Sequence, residues 1–534
     1  MSPVEFVSPP MSVKLTKAFT TPMQNVVATA RTCYSDKLIV DEQIKNPEAM
    51  ERIASSIYEA GHHTTYQHPH FQFAIEGVSR QCVWEFLHSH PFYNSEQQSQ
   101  RYVHVSKDSV VVPELPVHEA MVYQTAMQEA FKSYEDISRL LRKAVTWYFH
   151  KRFPASERNN KKHEDAIGKK CQEIARYVLP IGTKTTLYHT ISGLVAMRYI
   201  RACTSGDTTS EQRILASAMR EAIMAHDPNY AMVMEDEADA KIFPEQNAEI
   251  PTDNDMKIAA KLFDRRMKNE GVEFSMLRSY TNSPDVVLAE AVRAVIGQQI
   301  VDLNPGSIES AISRVMDPAC NGTLGESLNL STMNKLTRAL HAVSFTFQKR
   351  LSHTADSQDQ RHRMTPAARP FLGYTVHDTP DFVTPAMLDI NMHPAAADMG
   401  PEGLKDWLEA IAIFEVCMDR LWRAYEIIRK VNPEAALYVL PNALTIRFTE
   451  SGDLSALVHK YKMRLCYNAQ EEIWRASKEE VMAITQVAPI IGKYLLPPCT
   501  LRKMAGAKPI CPEGPRYCGV RVWTMDIEDY ERII

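Results

Sequence analysis

Residues 345–363 read FTFQKRLSHTADSQDQRHR, and a partly matching stretch, FQFAIEGVSRQCVWEFLHSH, occupies residues 71–90. Apolar and polar residues alternate at the start of the earlier stretch, which predicts a strand, and apolar residues then follow at helical spacing. The alternation Phe345-Thr-Phe347 repeats Phe71-Gln-Phe73. One stretch of sequence therefore recurs much later in the chain, and this repeat decides the fold.

Other landmarks recur in the same order. An early helix is predicted at 24–35 and again at 286–297, and a Thr-to-His turn precedes the strand at Thr64–His68 and at Thr337–His341. A long amphipathic helix is predicted at Glu119–Tyr148 and at Leu404–Lys430, and a Val-Leu-Pro tripeptide occurs at Val178–Pro180 and at Val439–Pro441. A repeat unit of more than about 200 residues is a duplicated domain and not a solenoid repeat. The predicted fold class is α+β, with two tandem homologous domains that each combine a small, mainly antiparallel sheet with long helices.

The repeat and the local composition predict four intervals. An N-terminal domain covers 1–235 and a C-terminal domain covers 284–500. Between them, 236–283 is predicted to be an acidic linker with a connecting helix, because its first part is acidic, contains Pro and lacks periodicity. Residues 501–534 form a C-terminal tail.

The overall composition excludes several classes of protein. The 534 residues are 45% hydrophobic and 23% charged, with a net charge of −5, which predicts a globular protein without a bulk basic field for nucleic acid. No signal segment or membrane-length apolar run is visible, so we expect a cytoplasmic protein with reduced thiols. The spacing of Cys499, Cys511 and Cys518 matches no zinc pattern.

Arg361, His362 and Arg363 form the clearest candidate binding motif. Two guanidiniums beside an imidazole suit a phosphate or a flavin edge, because Arg offers planar, permanently charged, bidentate donors. An isolated Arg-His-Arg could equally be a solvated basic turn, so the rest of the chain has to decide. The earlier copy carries His88-Ser89-His90 at the same place, so the two copies are not equivalent.

Further motifs surround these positions. In the first half they are Gly61-His62, Thr64, His68, Gly77–Arg80 and Gln98–Val103. In the second half they are Gln358, Arg361–Arg363, Arg464, Ala469-Gln470 and Glu472-Ile473. In these motifs both halves resemble flavin-dependent thymidylate synthases. The resemblance implies reductive methylation of dUMP to dTMP, with FAD as cofactor and with NADPH and methylenetetrahydrofolate as co-substrates.

Neither half keeps the whole family signature, which is Arg-His-Arg, seven residues and then Ser. The first half has lost Arg-His-Arg but keeps Ser99 and Arg101, whereas the second half has Phe371 in place of the Ser. The two remaining family arginines are also divided between the halves. Arg176 of the first half corresponds to Leu437 of the second, and Arg464 of the second half corresponds to Cys203 of the first.

These losses are reciprocal. In the family each nucleotide site is shared between subunits, so the retained residues of the two halves complete one composite site. They are Gln358, Arg361, His362, Arg363 and Arg464 from the second half, with Ser99, Arg101 and Arg176 from the first. The opposite combination lacks nearly every member. The sequence leaves open whether the composite site lies within one chain or between two.

The resemblance also implies roles. Arg464 would be catalytic by favouring ionisation of the uracil N3. The substrate-binding residues would be Gln97, Gln98, Ser99, Gln100, Arg101, Arg176, Gln358, Arg361 and Arg464. The cofactor-binding residues would be His62, Thr64, Thr337, Arg361, His362, Arg363 and His459. Ser99 has no neighbouring base in the sequence, so we do not expect it to be a nucleophile. Because the family is homotetrameric, two copies of this chain would supply four domains as a homodimer.

Two alternatives remain open from the sequence. The chain could be a diverged flavoenzyme that acts on another pyrimidine nucleotide, or a nucleotide-binding protein without catalysis. Six histidines in the first half follow no recognised metal-binding spacing, and no metal site is predicted. They are His62, His63, His68, His70, His88 and His90.

Overall fold

The computed structural model describes residues 4–89, 92–153, 161–203, 208–234, 248–298, 304–392, 399–532 and 534. The strands are β1 Ser12–Ala18, β2 His70–Ser79, β3 Asn94–Gln97, β4 Lys184–Ser192, β5 Ser275–Tyr280, β6 Ser344–Ser352, β7 Ala367–Ala368 and β8 Thr445–Asp453. The helices of the first half are α1 Pro22–Thr32, α2 Pro47–Glu59, α3 Arg80–His88, α4 Val117–Leu140, α5 Arg142–Arg152, α6 Lys161–Ala175, α7 Gly193–Cys203, α8 Ser210–His226 and α9 Ala231–Met234. The later helices are α10 Asp253–Asn269, α11 Pro284–Val295, α12 Pro305–Met316, α13 His353–Asp359, α14 Gly400–Ile428, α15 Pro433–Leu437, α16 Leu454–Arg464, α17 Glu471–Val487, α18 Pro489–Gly492 and α19 Pro498–Met504.

The two halves contain equivalent antiparallel sheets. Their strand orders are β1-β2-β4-β3 and β5-β6-β8-β7. The pairing register is shared too, since Phe73 lies opposite His189 and Phe347 lies opposite Glu450. The prediction of a tandem α+β protein is therefore confirmed. The edge strand β5 lies inside 236–283, so the interval assigned to a linker also contributes to the second sheet; residues 235–247 lie outside the described part.

A strand-to-helix junction is repeated in both halves and leads to the candidate site. Ser79 ends β2 and caps α3 by accepting a hydrogen bond from the Cys82 amide, while Ser352 ends β6 and caps α13 through the Ala355 amide. A serine at this position satisfies an amide that the helix leaves unpaired. The first junction also contains a bulge at Gly77, whose φ of 78° is a conformation that glycine adopts without strain.

The halves meet through equivalent segments. The two Val-Leu-Pro tripeptides lie side by side, with Pro180 bridging Pro441 and the Ile181 amide donating to the Leu440 carbonyl at 2.8 Å. The long helices α4 and α14 pack on each other, and their apolar faces join one core that draws on both halves. Separate cores lie beside each sheet. No helix in the described ranges is long and apolar enough to cross a membrane.

Candidate functional site

Arg361 and Arg363 extend from the end of α13 to strand β3 of the other half. Arg361 donates to the backbone carbonyl of Ser95. Arg363 donates to the side chain of Asn94 at 3.1 Å, and its guanidinium lies 5.2 Å from the ring centre of Tyr93. The Arg-His-Arg motif retained by the second half therefore lies against the first half of the same chain.

Gln470 joins the retained residues of the two halves. Its side-chain oxygen accepts hydrogen bonds from Arg176, at 2.9 Å, and from the side-chain amide of Gln358. Its own amide donates to the hydroxyl of Tyr177 at 2.6 Å. Arg176 and Gln358, predicted from different halves, thus contact one buried amide group. The sequence motif contained Gln470, but its bridging position was not predicted.

Arg464 lies beside these residues at the end of α16. Its Nε donates to His362 Nε2 at 2.7 Å, and its terminal nitrogen donates to the Gln358 carbonyl at 2.6 Å. Burial lowers the pKa of Arg464 to about 10, while the carboxylate of Asp359 opposes this shift. Burial and the adjacent Arg464 hold the pKa of His362 well below its usual value, so this ring is neutral and can accept the hydrogen bond.

Arg101 provides a second connection between the halves. It pairs with Glu173, and its terminal nitrogen donates to the Asn468 carbonyl at 2.7 Å. Lys170 is 2.8 Å from the same carboxylate. Burial alone would raise the pKa of Glu173, but Arg101 and Lys170 outweigh it and keep the pKa well below its usual value. The carboxylate is therefore ionised and holds Arg101 beside the second half.

The residues before Arg101 form a connected segment. Ser99 is half-buried, and its hydroxyl accepts the Arg101 amide at 3.2 Å. Gln100 is buried, and its side-chain oxygen accepts from Asn442 of the second half at 3.0 Å. The Gln98 carbonyl accepts from Arg80 at 2.7 Å, and Gln97 ends β3 with its amide 3.4 Å from the Thr185 hydroxyl.

Several buried polar groups in this region have no hydrogen-bond partner among the described residues, and two of them are donors of predicted substrate residues. These two donors are the side-chain amide nitrogen of Gln100 and Nε of Arg176. Buried donors are nearly always satisfied in folded proteins, by protein atoms, water or a ligand. Both belong to residues that the sequence assigned to nucleotide binding.

A cavity of about 370 Å³ lies next to Arg363. It is lined by Gln67, His70, Tyr93, Asn94, Arg198 and Arg363, among others. The first-half turn that supplies Gln67 begins beside His62 and contains Thr64, and both of these predicted cofactor residues are exposed. This volume lies within the ordinary range for cofactor pockets, about 300–1,000 Å³.

Two other predicted cofactor residues occupy different surroundings. His459 lies on α16, with its ring centre 6.0 Å from that of His362. Thr337 is buried, and its hydroxyl donates to the carbonyls of Ser331 and Asn334 within its own turn. The structure thus brings His459 to the Arg-His-Arg segment, whereas the Thr337 hydroxyl is used locally.

As far as its members fall within the described ranges, the opposite combination of residues forms no comparable cluster. Leu437 and Cys203, which replace Arg176 and Arg464, are both buried. Glu85 occupies in α3 the position that Gln358 occupies in α13, and it accepts from Thr209 and Gln212 at 3.2 and 2.5 Å. The ring centre of His88 lies 4.5 Å from that of Trp84, and Phe371 is partly exposed; His90 lies outside the described residues.

Two further cavities, both bordered by residues in the described ranges, contain none of the predicted site residues. A larger one, of about 850 Å³, lies between β5, α17 and residues 530–532. A small one is bordered by Cys466, Cys499, Cys511 and Cys518, which are free thiols. Across the described ranges, no group of three or more His, Cys, Asp or Glu residues is arranged to hold a metal ion.

Comparison with known proteins matches both halves to one family. The family profile described as "Thymidylate synthase complementing protein" matches residues 14–229 and 276–490. The flavin-dependent thymidylate synthase of Clostridium tetani is 28% identical over 226 residues, which is 41% of this chain and 84% of that protein. The enzyme of the same name from Halobacterium salinarum is 26% identical over 230 residues, 40% of this chain and 90% of that protein. Each relative thus corresponds in length to one half of this chain.

A solved structure also aligns with part of the chain. It is a UMP/dUMP methylase, PolB from Streptomyces cacaoi, bound with 5-Br dUMP. It is 15% identical and covers 43% of this chain and 97% of its own, with a TM-score of 0.31.

Proposed function

Because the chain belongs to the thymidylate synthase complementing protein family through both of its halves, we propose that it is a flavin-dependent thymidylate synthase with one composite site per chain. The reaction is reductive methylation of dUMP to dTMP. FAD, when bound, carries reducing electrons from NADPH, and methylenetetrahydrofolate supplies the one-carbon unit. The observation that carries this proposal is the contact of Gln470 with both Arg176 and Gln358.

Arg101 and Arg176 would bind the nucleotide phosphate. Both are held by residues of the second half, Arg101 by the Asn468 carbonyl and Arg176 by Gln470. The unpaired buried donors on Arg176 and Gln100 are suited to phosphate oxygens, and charge-assisted hydrogen bonds are the stronger ones. Ser99, Gln98 and Gln97 lead into this segment and belong to the same proposed substrate site.

Gln358 and Arg464 would act on the pyrimidine ring. The amide of Gln358 can recognise a ring edge because it offers both a donor and an acceptor. Arg464 would stabilise negative charge that develops when uracil N3 ionises, the kind of electrostatic contribution that a dry site strengthens. Its hydrogen bonds to His362 and to the Gln358 carbonyl hold the guanidinium beside the ring-binding amide.

The flavin would lie between the Arg-His-Arg segment and the first half. The cavity beside Arg363 supports this placement, because Arg363 and Arg198 line it with the aromatic ring of Tyr93. Guanidiniums can bind the phosphates of FAD, and an aromatic face can pack on a flavin ring. His62 and Thr64, on the turn that supplies Gln67, would contact the cofactor edge, and His459 would support His362 from behind. The predicted cofactor set also contains Thr337, whose hydroxyl donates to carbonyls of its own turn.

The larger organisation follows from the same proposal. Two homologous domains, predicted at 1–235 and 284–500, would correspond to two subunits of a single-domain relative, with β5 of the connecting interval 236–283 belonging to the second domain and 501–534 as a tail. Two copies of the chain would then form a homodimer with four domains. The expected location is the cytoplasm, where the nucleotide and folate substrates occur.

A flavin titration followed by a turnover assay tests the proposed function. The purified protein should bind FAD, the flavin spectrum should change on addition of dUMP, and dTMP should form only with NADPH and methylenetetrahydrofolate present. A protein that stays colourless with added FAD would refute the proposal. Flavin binding with negligible turnover of dUMP would instead favour another pyrimidine nucleotide as substrate.

A further inference from the structure

Five charged side chains lie inside the second half, directly behind the Arg-His-Arg segment. They come from β6, α13, β8, α16 and α17, and each is no more than 1% exposed: Lys349, Asp359, Glu450, Lys460 and Glu480. We call these residues the buried charge network. Full burial of five charges is unusual, because each one loses its hydration.

The network is tightly connected. Lys349 binds Asp359 and lies 3.0 Å from Glu480 and 3.5 Å from Glu450. Lys460 binds Glu450 and lies 3.4 Å from Asp359 and 3.6 Å from Glu480. Three carboxyls thus surround two ammonium groups. Burial and the adjacent Asp359 raise the pKa of Glu450 to about 7, whereas the two lysines keep the pKa of Asp359 well below its usual value.

The first half contains an internal control for this network. The repeated strand register and the repeated capping serines identify the five equivalent positions. They carry Ile75, Phe86, His189, Tyr199 and Met219, and all five are buried. The ring centre of Phe86 lies 4.3 Å from that of His189 and 4.8 Å from that of Tyr199, so these side chains pack as an ordinary core.

The comparison of the two halves distinguishes what the fold requires from what the proposed site requires. The same sheet and helices form in the first half with a mainly apolar core at the same five positions, so the architecture does not require the charges. A buried ion cluster often stabilises no better than apolar residues of similar volume. The half that carries the network is also the half that carries Arg361, His362, Arg363 and Arg464, whereas the half without it has lost all of these side chains.

We propose that the buried charge network is a positioning device that holds Asp359, and through it the turn carrying the Arg-His-Arg segment and Arg464, in the orientation that the composite site needs. Asp359 is the last residue of α13, and its carbonyl accepts the His362 amide at 3.0 Å. The preceding carbonyl, of Gln358, accepts from Arg464 at 2.6 Å. The position of Asp359 therefore determines where both the turn and Arg464 lie.

The network also has an electrostatic effect on the same site. With all five groups ionised it carries one net negative charge, and Asp359 contributes that charge beside the buried guanidinium of Arg464. In a dry pocket with several arginines, a missing counter-charge would leave their mutual repulsion uncompensated and favour displacement of the side chains. This inference deepens the function proposed above and rests on it for its purpose, although its test does not need turnover.

The decisive variant gives the second half the residues of the first. It combines Lys349→Ile, Asp359→Phe, Glu450→His, Lys460→Tyr and Glu480→Met. We expect this fivefold variant to fold with a urea midpoint no lower than that of the wild type. Amide hydrogen exchange in residues 358–365 should become at least about tenfold faster, which corresponds to loss of one charge-assisted hydrogen bond, while exchange in the first sheet stays unchanged. Turnover of dUMP should be lost.

A milder variant tests the same positioning role in case the fivefold variant does not fold. Lys349→Met with Glu480→Gln removes one cation and one carboxylate from the network at constant net charge, and the Gln can still accept from Ser275. It should fold, speed exchange at 358–365 and lower kcat more than it changes KM for dUMP. Unchanged exchange in either folded variant would overturn the proposal, as would failure of both variants to fold. If the wild type lacks thymidylate synthase activity, the proposed function fails, while the exchange result still decides the positioning role.

Discussion

Replacing Arg464 with Met tests the centre of the composite site. Arg464 makes hydrogen bonds of 2.7 and 2.6 Å, to His362 and to the Gln358 carbonyl. Loss of one such preorganised charged donor lowers kcat by about 100- to 1,000-fold in sites that stabilise developing negative charge. Two acceptors are left unpaired, but a buried charge is also removed, so the free energy of unfolding should fall by only about 1–2 kcal/mol.

Cys203→Ala is the matched control, because Cys203 is the first-half counterpart of Arg464 and is buried. A small cavity there should cost about 1 kcal/mol of stability, similar to the first variant, with no loss of activity. The assay measures dTMP formation with FAD, NADPH and methylenetetrahydrofolate over a range of dUMP concentrations, with urea unfolding in parallel. The reasoning fails if Arg464→Met keeps kcat within about threefold of the wild type, or if Cys203→Ala loses as much.

Three further predictions follow from the geometry. Co-expressed chains carrying Arg176→Ala and Arg464→Ala should show no more activity than either protein alone, because the proposed composite site combines both residues of one chain; recovery would indicate a site formed between chains. His353→Met should remove a pH dependence of the free energy of unfolding, because burial lowers the pKa of His353 to about 3 and the unfolded state therefore binds one more proton between pH 3 and 6.5. The wild type should lose stability as the pH falls through that window, by up to about 1.4 kcal/mol per pH unit relative to the variant, as measured by urea titrations. Arg363→Ala should weaken FAD binding about tenfold in a fluorescence titration, whereas the exposed Arg338→Ala should not.

The repeated fold could be predicted because local patterns carry most of the information about it. Alternation of apolar residues marks β2 and β6, and the Val-Leu-Pro tripeptides mark the segments that pair between the halves. Strand β5 was harder to assign, because an edge strand needs only one paired side and shows a weaker pattern. It therefore fell inside an interval interpreted as a linker.

The membership of the proposed site remains a prediction from motifs, and the contacts between its members could not be predicted at all. Motif comparison identified Arg176 and Arg464 one residue at a time, whereas Gln470 acts through a geometry that depends on how the halves pack. The buried charge network gave no motif either, because its members are far apart in sequence and each reads as an ordinary surface charge. Only the three-dimensional structure shows that β6, β8 and three helices bring them together.

The residues that replace Arg176 and Arg464 also explain why a single substitution would not restore a second, equivalent site. At the position equivalent to Arg176, Leu437 is 6% exposed within the core shared by both halves. An arginine introduced there alone would be a buried, unpaired charge, which costs several kcal/mol. The equivalent of Arg464, Cys203, is enclosed by the first-half core, and the positions of the charge network are filled by Phe86 and its neighbours. The residues that replace Arg176 and Arg464 are thus both part of an apolar core, so an arginine restored at either position alone should destabilise the protein. A single proposed site per chain is consistent with a first half whose equivalent interior positions are mainly apolar and buried.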